Sequence, residues 1–189
     1  MLRPRAFVLS VSLKVALVAL TAFGAFSGLE RFDDKGFGWR LIFYPVAVLV
    51  LPVVWRLAAR GKPFPYAADI LITLPFLIDV VGNILGLYDS VSWWDDLNHF
   101  VNWAFLSGGI GALLLRTDLS GRVIAALVVG WGAFAALLWE LGEYLAFIRT
   151  NEDELATAYR DTLGDMTLGT CGAVVAALAT WVVRGRETA

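Results

Sequence analysis

Cysteine and histidine are almost missing from this sequence, with one of each in 189 residues. Cys171 stands alone inside an apolar run, which excludes a disulfide framework and reads as an inert buried thiol. Charge is scarce too: 17% of residues are Asp, Glu, Lys or Arg, and the net charge is -2. No basic patch follows from that balance, so nucleic acid is excluded as a partner. The sequence has no P-loop, no CxxC, no glycine-rich dinucleotide fingerprint and no Ser–His–Asp arrangement, which leaves the enzyme classes that carry such signatures without support.

What fills the chain instead is hydrocarbon. Hydrophobic residues make up 59% of it, and the mean hydropathy is +0.71. A soluble domain is less apolar and more charged. Apolar runs of about 20 residues are what a bilayer selects, since roughly 30 Å must be crossed at 1.5 Å per helical residue. Such runs cover residues 6–27, 41–59, 66–87, 97–115, 122–147 and 163–183. The expected fold is all-α: a polytopic membrane bundle of about six helices in one domain, residues 1–189, without linkers. The first run follows Arg3 and Arg5 as a signal peptide would, but its length suits a retained helix better. Pro45, Pro52 and Pro75 fall inside the second and third spans, where kinks are expected.

Loop charges orient the bundle. Arg3, Arg5, Arg56, Arg60, Lys62, Arg116, Arg122, Arg184 and Arg186 fall on one side. The other side holds fewer cations (Arg31, Lys35, Arg40, Arg149, Arg160) and most of the acids: Glu30, Asp33, Asp34, Asp89, Asp95, Asp96, Glu152, Asp153, Glu154 and Asp161. The positive-inside rule then places both termini in the cytoplasm.

With that orientation, scattered polar residues acquire a common depth. The stretch WWDDLNHF enters the fourth span from outside, so Asp95 and Asp96 lie at i−4 and i−3 from His99, and either can share its face. The fifth span carries Glu140 about 18 residues, roughly 27 Å, along its axis, back near the outer leaflet, with Glu143 one turn on. The sixth begins with Asp161 and Asp165 at i,i+4, and Asp79 with Asn83 on the third span could extend the same polar layer. Lys14, in the middle of the first span, could snorkel or pair with Asp69 or Asp79. Gly108, Gly109 and Gly111, with Gly164, Gly169 and Gly172, suit close helix contact.

A purely structural account is available for some of these acids. Asp161 could cap the sixth helix and Asp95 or Asp96 the fourth, while Asn151 and Glu154 form a capping-box pattern for a short helix in the last outer loop. Trp93, Trp94, Tyr144 and Tyr159 suit an interfacial aromatic belt. Caps do not account for Glu140 and Glu143, which sit near a helix end whose dipole disfavours negative charge. Something positive should face them: a metal ion, Arg149 or Arg160, or protons. Carboxylates with one imidazole suit a divalent cation, with Mg²⁺, Mn²⁺ or Ca²⁺ favoured by oxygen and Zn²⁺ or Fe²⁺ admitted by nitrogen. The candidate ligands are Asp95, Asp96, His99, Glu140, Glu143, Asp161 and Asp165, and Asp96-x-x-His99 is a shortened form of the pair used in di-metal helical bundles.

The set Asp96-x-x-His99-Phe100, Glu140-x-x-Glu143 and Asp161-x-x-x-Asp165-x-x-x-Gly169 resembles the pattern of VanZ-like and YjdF-like bacterial membrane proteins. The likeness spans about residues 90–180 and is nearest the YjdF-like group in LWELGEY and DTLGD. It departs from VanZ proper, where an amide often replaces the second acid of a pair. The resemblance implies a multispan inner-membrane protein and, by analogy, a cell-envelope role. From the residues, three uses stay open. Asp96, His99, Glu140, Glu143, Asp161 and Asp165 could be a metal-assisted catalytic site acting on a lipid or envelope-precursor headgroup, with one acid as general base. The same acids, with Asp79 and Lys14, could line a proton or cation path. They could also serve a non-catalytic envelope factor. Membrane lipids are the expected partners.

Overall fold

The computed structural model describes residues 2–33, 35–59, 61–146 and 148–187, apart from the side chains of residues 2, 3, 146, 153, 154 and 187. The sequence expectations for Asp34 and Arg60, and for the side chains of Arg3, Asp153 and Glu154, therefore lie outside the described residues. The architecture is all-helical, with no strand among the described residues, and the chain divides into two compact units, Met1–Ser92 and Trp93–Ala189.

The first unit contains α1 (Leu2–Phe26), α2 (Phe37–Ala58), α3 (Tyr66–Leu85) and the single turn α4 (Leu87–Ser90). Helix α1 packs on both α2 and α3. Leu17, Phe32, Phe37, Tyr44, Val48 and Val80 form the core between them. Helices α2 and α3 continue past Pro45, Pro52 and Pro75. Gly86 ends α3 at φ +68°, a left-handed conformation that glycine adopts without a Cβ penalty.

The second unit contains α5 (Trp94–Leu114), α6 (Gly121–Ala146) and α7 (Glu152–Glu187), with α7 packed against both of the others. Small residues set the approach. A Cβ on Gly172 would stand 2.2 Å from the backbone oxygen of Phe100, so α5 and α7 touch main chain to main chain. Gly111 against Thr180 and Gly169 against Trp103 repeat the pattern along the same pair of helices, as expected; Gly164 has nothing within 4 Å of its Cβ position. Gly132, against Ala173 and Ser107, extends it to α6. Without water to drive apolar helices together, this close van der Waals fit is what holds them.

Among the described residues, five helical stretches are long and apolar enough to cross a bilayer: Pro4–Phe26, Phe37–Ala58, Tyr66–Leu85, Gly121–Thr150 and Leu155–Arg186. The sixth expected span forms a helix of 21 residues, α5, but Asn98, His99 and Asn102 dilute its hydropathy below that of the others. In α2 only 11% of the apolar window is buried, and Phe43, Val46, Val50 and Leu57 point outward. Apolar side chains facing out over whole helices are the signature of a lipid solvent.

Two local expectations are corrected. The last outer loop was expected to hold a separate short helix, with Asp161 capping the final span. Instead α7 is continuous over 36 residues, about 54 Å at 1.5 Å each, and Asp161 lies inside it. The segment ELATAYRDTL contains no proline or glycine to interrupt the helix, and Glu152, Asp153 and Glu154 suit a helix start. Cys171, expected to be buried, is exposed on α7.

Candidate functional site

Charged groups placed inside apolar helices must be compensated, and the first unit compensates its own. Lys14 Nζ on α1 lies 2.5 Å from Asp69 Oδ2 on α3, and Ser10 Oγ donates to the same oxygen at 2.5 Å. Thus Lys14 pairs with Asp69 and not with Asp79. Arg40, counted by sequence among loop cations, belongs to the first turn of α2 and reaches Asp79 at 2.7 Å. The hydroxyls of Tyr44 and Tyr88 donate to Asp79 at 2.7 and 3.0 Å, and Asn83 Nδ2 donates at 3.1 Å. Asp79 and Asn83 thus belong to a hydrogen-bonded network with Arg40 inside Met1–Ser92.

The second unit presents the opposite case. His99 occupies the second turn of α5 and is 9% exposed. Its Nδ1 lies 3.6 Å from Glu140 Oε1 of α6, and its Nε2 lies 3.7 Å from Asp165 Oδ1 of α7. Asp95 Oδ1, one turn back on α5, is 3.9 Å from the same Nε2. None of these separations is a hydrogen bond, which needs about 3.2 Å or less. His99 Nδ1 and Glu140 Oε1 are both buried and have no hydrogen-bond partner. Glu140 is 3% exposed and Asp165 4%, whereas the Asp95 side chain is half exposed. The pocket thus has a closed inner wall and an outer rim.

Ligand atoms fall into two overlapping sets, Asp95–His99–Asp165 and His99–Glu140–Glu143, each with its atoms within 4.8 Å of one another. Asp96 and Asp161 are exposed and stand outside both sets, though their charges reach His99. Arg149 and Arg160 are exposed, and neither is ion-paired to this cluster among the described residues. The group facing Glu140 is the His99 imidazole. An imidazole contributes at most one positive charge against four neighbouring carboxylates, so the cluster has room for further cationic charge.

Sequence reasoning passed over Asn98 and Asn102. They lie one turn apart on α5; Asn102 Nδ2 donates to Asn98 Oδ1 at 3.1 Å, and Asn98 Nδ2 donates to the Trp94 carbonyl at 3.0 Å. Their i,i+4 spacing inside an apolar run was the available signal. Beyond them, α5 from Val101 to Leu114, α6 from Val123 to Trp139 and α7 from Met166 to Val183 contain no charged residue. The ionisable groups of this unit's interior are confined to one end.

Stacked apolar helices that compensate their own buried charges define the class: an integral membrane protein of polytopic helical type. More particularly, the chain belongs to a family described as predicted membrane protein (DUF2238), whose pattern matches residues 12–186. That match takes in α1–α3, which the resemblance noted above left out. Neither curated proteins nor solved structures give a match.

Proposed function

We propose that the α5–α7 unit holds a divalent cation at the extracytoplasmic face of a bacterial inner membrane and uses it on a lipid or envelope-precursor headgroup. One observation carries this reading: three helices bring carboxylate oxygens to 3.6–3.9 Å from a single buried imidazole, without hydrogen-bonding it. Donor atoms that share one ion at about 2.0–2.3 Å stand about 3–4 Å from each other, which is the spacing found.

The geometry favours a division of labour. Nε2 of His99 faces both Asp95 and Asp165, so these three are the proposed ligands. Nδ1 then carries the proton and faces Glu140, which would orient the ring as carboxylates do behind metal-bound histidines. Glu143, whose carboxylate lies within 4.8 Å of the ligand atoms of His99 and Glu140, is the proposed general base. A bound divalent ion would supply Lewis acidity and a water activated near neutral pH. Asp95 at the rim leaves the site open to a headgroup from one side.

Support for the outward orientation comes from the distribution of loop cations, and support for an envelope role from the likeness to VanZ-like and YjdF-like proteins. A proton- or cation-coupled transporter is the alternative. It would need ionisable groups along the remaining length of the helices, and the charge-free stretches of α5, α6 and α7 weigh against it. A non-catalytic envelope factor would keep the cluster as a protonated His99 among acids.

The test is metal analysis of protein purified with metal supplementation. About one equivalent of divalent metal is expected in the wild type, lost in His99→Ala combined with Glu140→Gln. Sub-stoichiometric metal in both proteins removes the proposal.

A further inference from the structure

Within Met1–Ser92, α1, α2 and the start of α3 line an open cavity of about 770 Å³, in the usual size range of ligand sites. Its chemistry is graded. Among the described residues that line it, the charged ones are Lys14, Arg56 and Lys62. Phe7, Val11, Leu49 and Pro52 form its apolar walls. Leu49 and Arg56 are two turns apart on α2, about 10 Å along the axis, so the cationic mouth and the apolar interior are separated by that depth.

The mouth is built rather than incidental. Arg56 is in the last turn of α2, and Trp55 beside it donates to the Lys62 carbonyl at 3.3 Å, which fixes the α2–α3 connection. Trp55, Phe64, Tyr66 and Phe7 then follow one another edge to face, at centroid distances of 6.4, 4.9 and 6.3 Å. Deeper in, Lys14 is 15% exposed while its partner Asp69 is 1% exposed, so that ion pair turns its positive end toward the cavity.

We infer that this cavity is a binding site for an anionic phospholipid, with the phosphate between Arg56 and Lys62 and the upper acyl chains along Phe7, Val11, Leu49 and Pro52. Two features select that occupant. Two cations among the residues lining the mouth, Arg56 and Lys62, favour a negative headgroup over a zwitterionic one, and basic pockets between membrane helices recognise lipid phosphates in this way. The apolar walls belong to helices that face lipid, with Phe7 52% and Leu49 48% exposed, so acyl chains have direct lateral access. The inference is independent of the α5–α7 metal site.

Native mass spectrometry of the full chain, released from detergent containing equal amounts of phosphatidylglycerol and phosphatidylcholine, tests it. Each cation contributes about fivefold in binding, so the wild type should retain phosphatidylglycerol about 25-fold better, and Arg56→Gln with Lys62→Gln should level the two lipids. Leu49→Trp fills the apolar wall while keeping the charges, and should lose phosphatidylglycerol as well. Equal retention of both lipids by the wild type overturns the inference, as does an unchanged preference in the double variant or undiminished phosphatidylglycerol retention in Leu49→Trp. Displacement of the lipid by millimolar inorganic phosphate would reduce the site to a free-anion site and equally overturn it. If the double variant does not fold, the wild-type preference and Leu49→Trp still decide.

Discussion

The same substitution, Gly→Ala, should act in opposite directions at two positions of α7. At Gly172 a Cβ would sit 2.2 Å from the Phe100 oxygen and 2.9 Å from the Ala104 nitrogen. Both are backbone atoms of α5 and cannot rotate away. A carbon needs about 3.3 Å from an oxygen, so α5 and α7 must part by about 1 Å. Forced overpacking of this kind costs about 1–3 kcal/mol, set against about 1 kcal/mol of helix propensity gained by alanine. A net loss is therefore expected. At Gly164, where nothing lies within 4 Å, only the propensity gain remains and Gly164→Ala should stabilise by about 0.5–1 kcal/mol. The displacement at Gly172 also reaches the cluster, since His99 precedes Phe100 directly and Asp165 lies two turns before Gly172. Thermal unfolding in one detergent, followed by circular dichroism, measures both variants, and metal content measured on the same samples reports the cluster. A neutral or stabilising Gly172→Ala would refute the main-chain contact between α5 and α7, and with it the placement of Asp165 beside His99.

Other expectations follow from the ion pairs and the cluster. Asp69→Ala leaves Lys14 among apolar helices and should destabilise by about 3–5 kcal/mol, while Lys14→Met with Asp69→Leu should recover much of that in the same unfolding assay. Tyr44→Phe removes one hydrogen bond to the Asp79 carboxylate, at 2.7 Å, and should cost about 1.5–3 kcal/mol. For metal affinity, Glu140→Gln should weaken binding about 10–100-fold if Glu140 orients His99. The exposed Asp96→Asn should change it by only about twofold, as a screened neighbouring charge does. Equal effects of those two variants, read by competition with a metal chelator, would contradict the assignment of Glu140 behind His99 and of Asp96 outside the ligand sets.

Much of the candidate site could be read before any coordinates. His99, Glu140 and Asp165 drew attention because ionisable groups in apolar helices are costly, and all three prove buried and adjacent. The choice between Asp95 and Asp96 could not be read, because i,i+3 and i,i+4 partners both reach a helical histidine; the packing of α5 turns Asp95 toward His99 and leaves Asp96 exposed. The partner of Asp79 could not be read because Arg40 looked like a loop residue. Helix α2 begins three residues earlier, at Phe37, and so carries that guanidinium into the unit. The extent of α7 was missed for a related reason: polarity was read as loop, although ELATAYRDTL has no residue that would stop a helix.

Composition and spacing alone determined that this chain is helical and embedded in lipid, because a bilayer leaves apolar runs of this length no other way to satisfy their backbones. They also marked which helices carry costly carboxylates. Which of those carboxylates meet the imidazole, and which are neutralised by Arg40 or Lys14, depended on the rotation and close approach of each helix. Those are settled by contacts such as Gly172 against Phe100, between residues 72 positions apart in the chain, which no local pattern encodes.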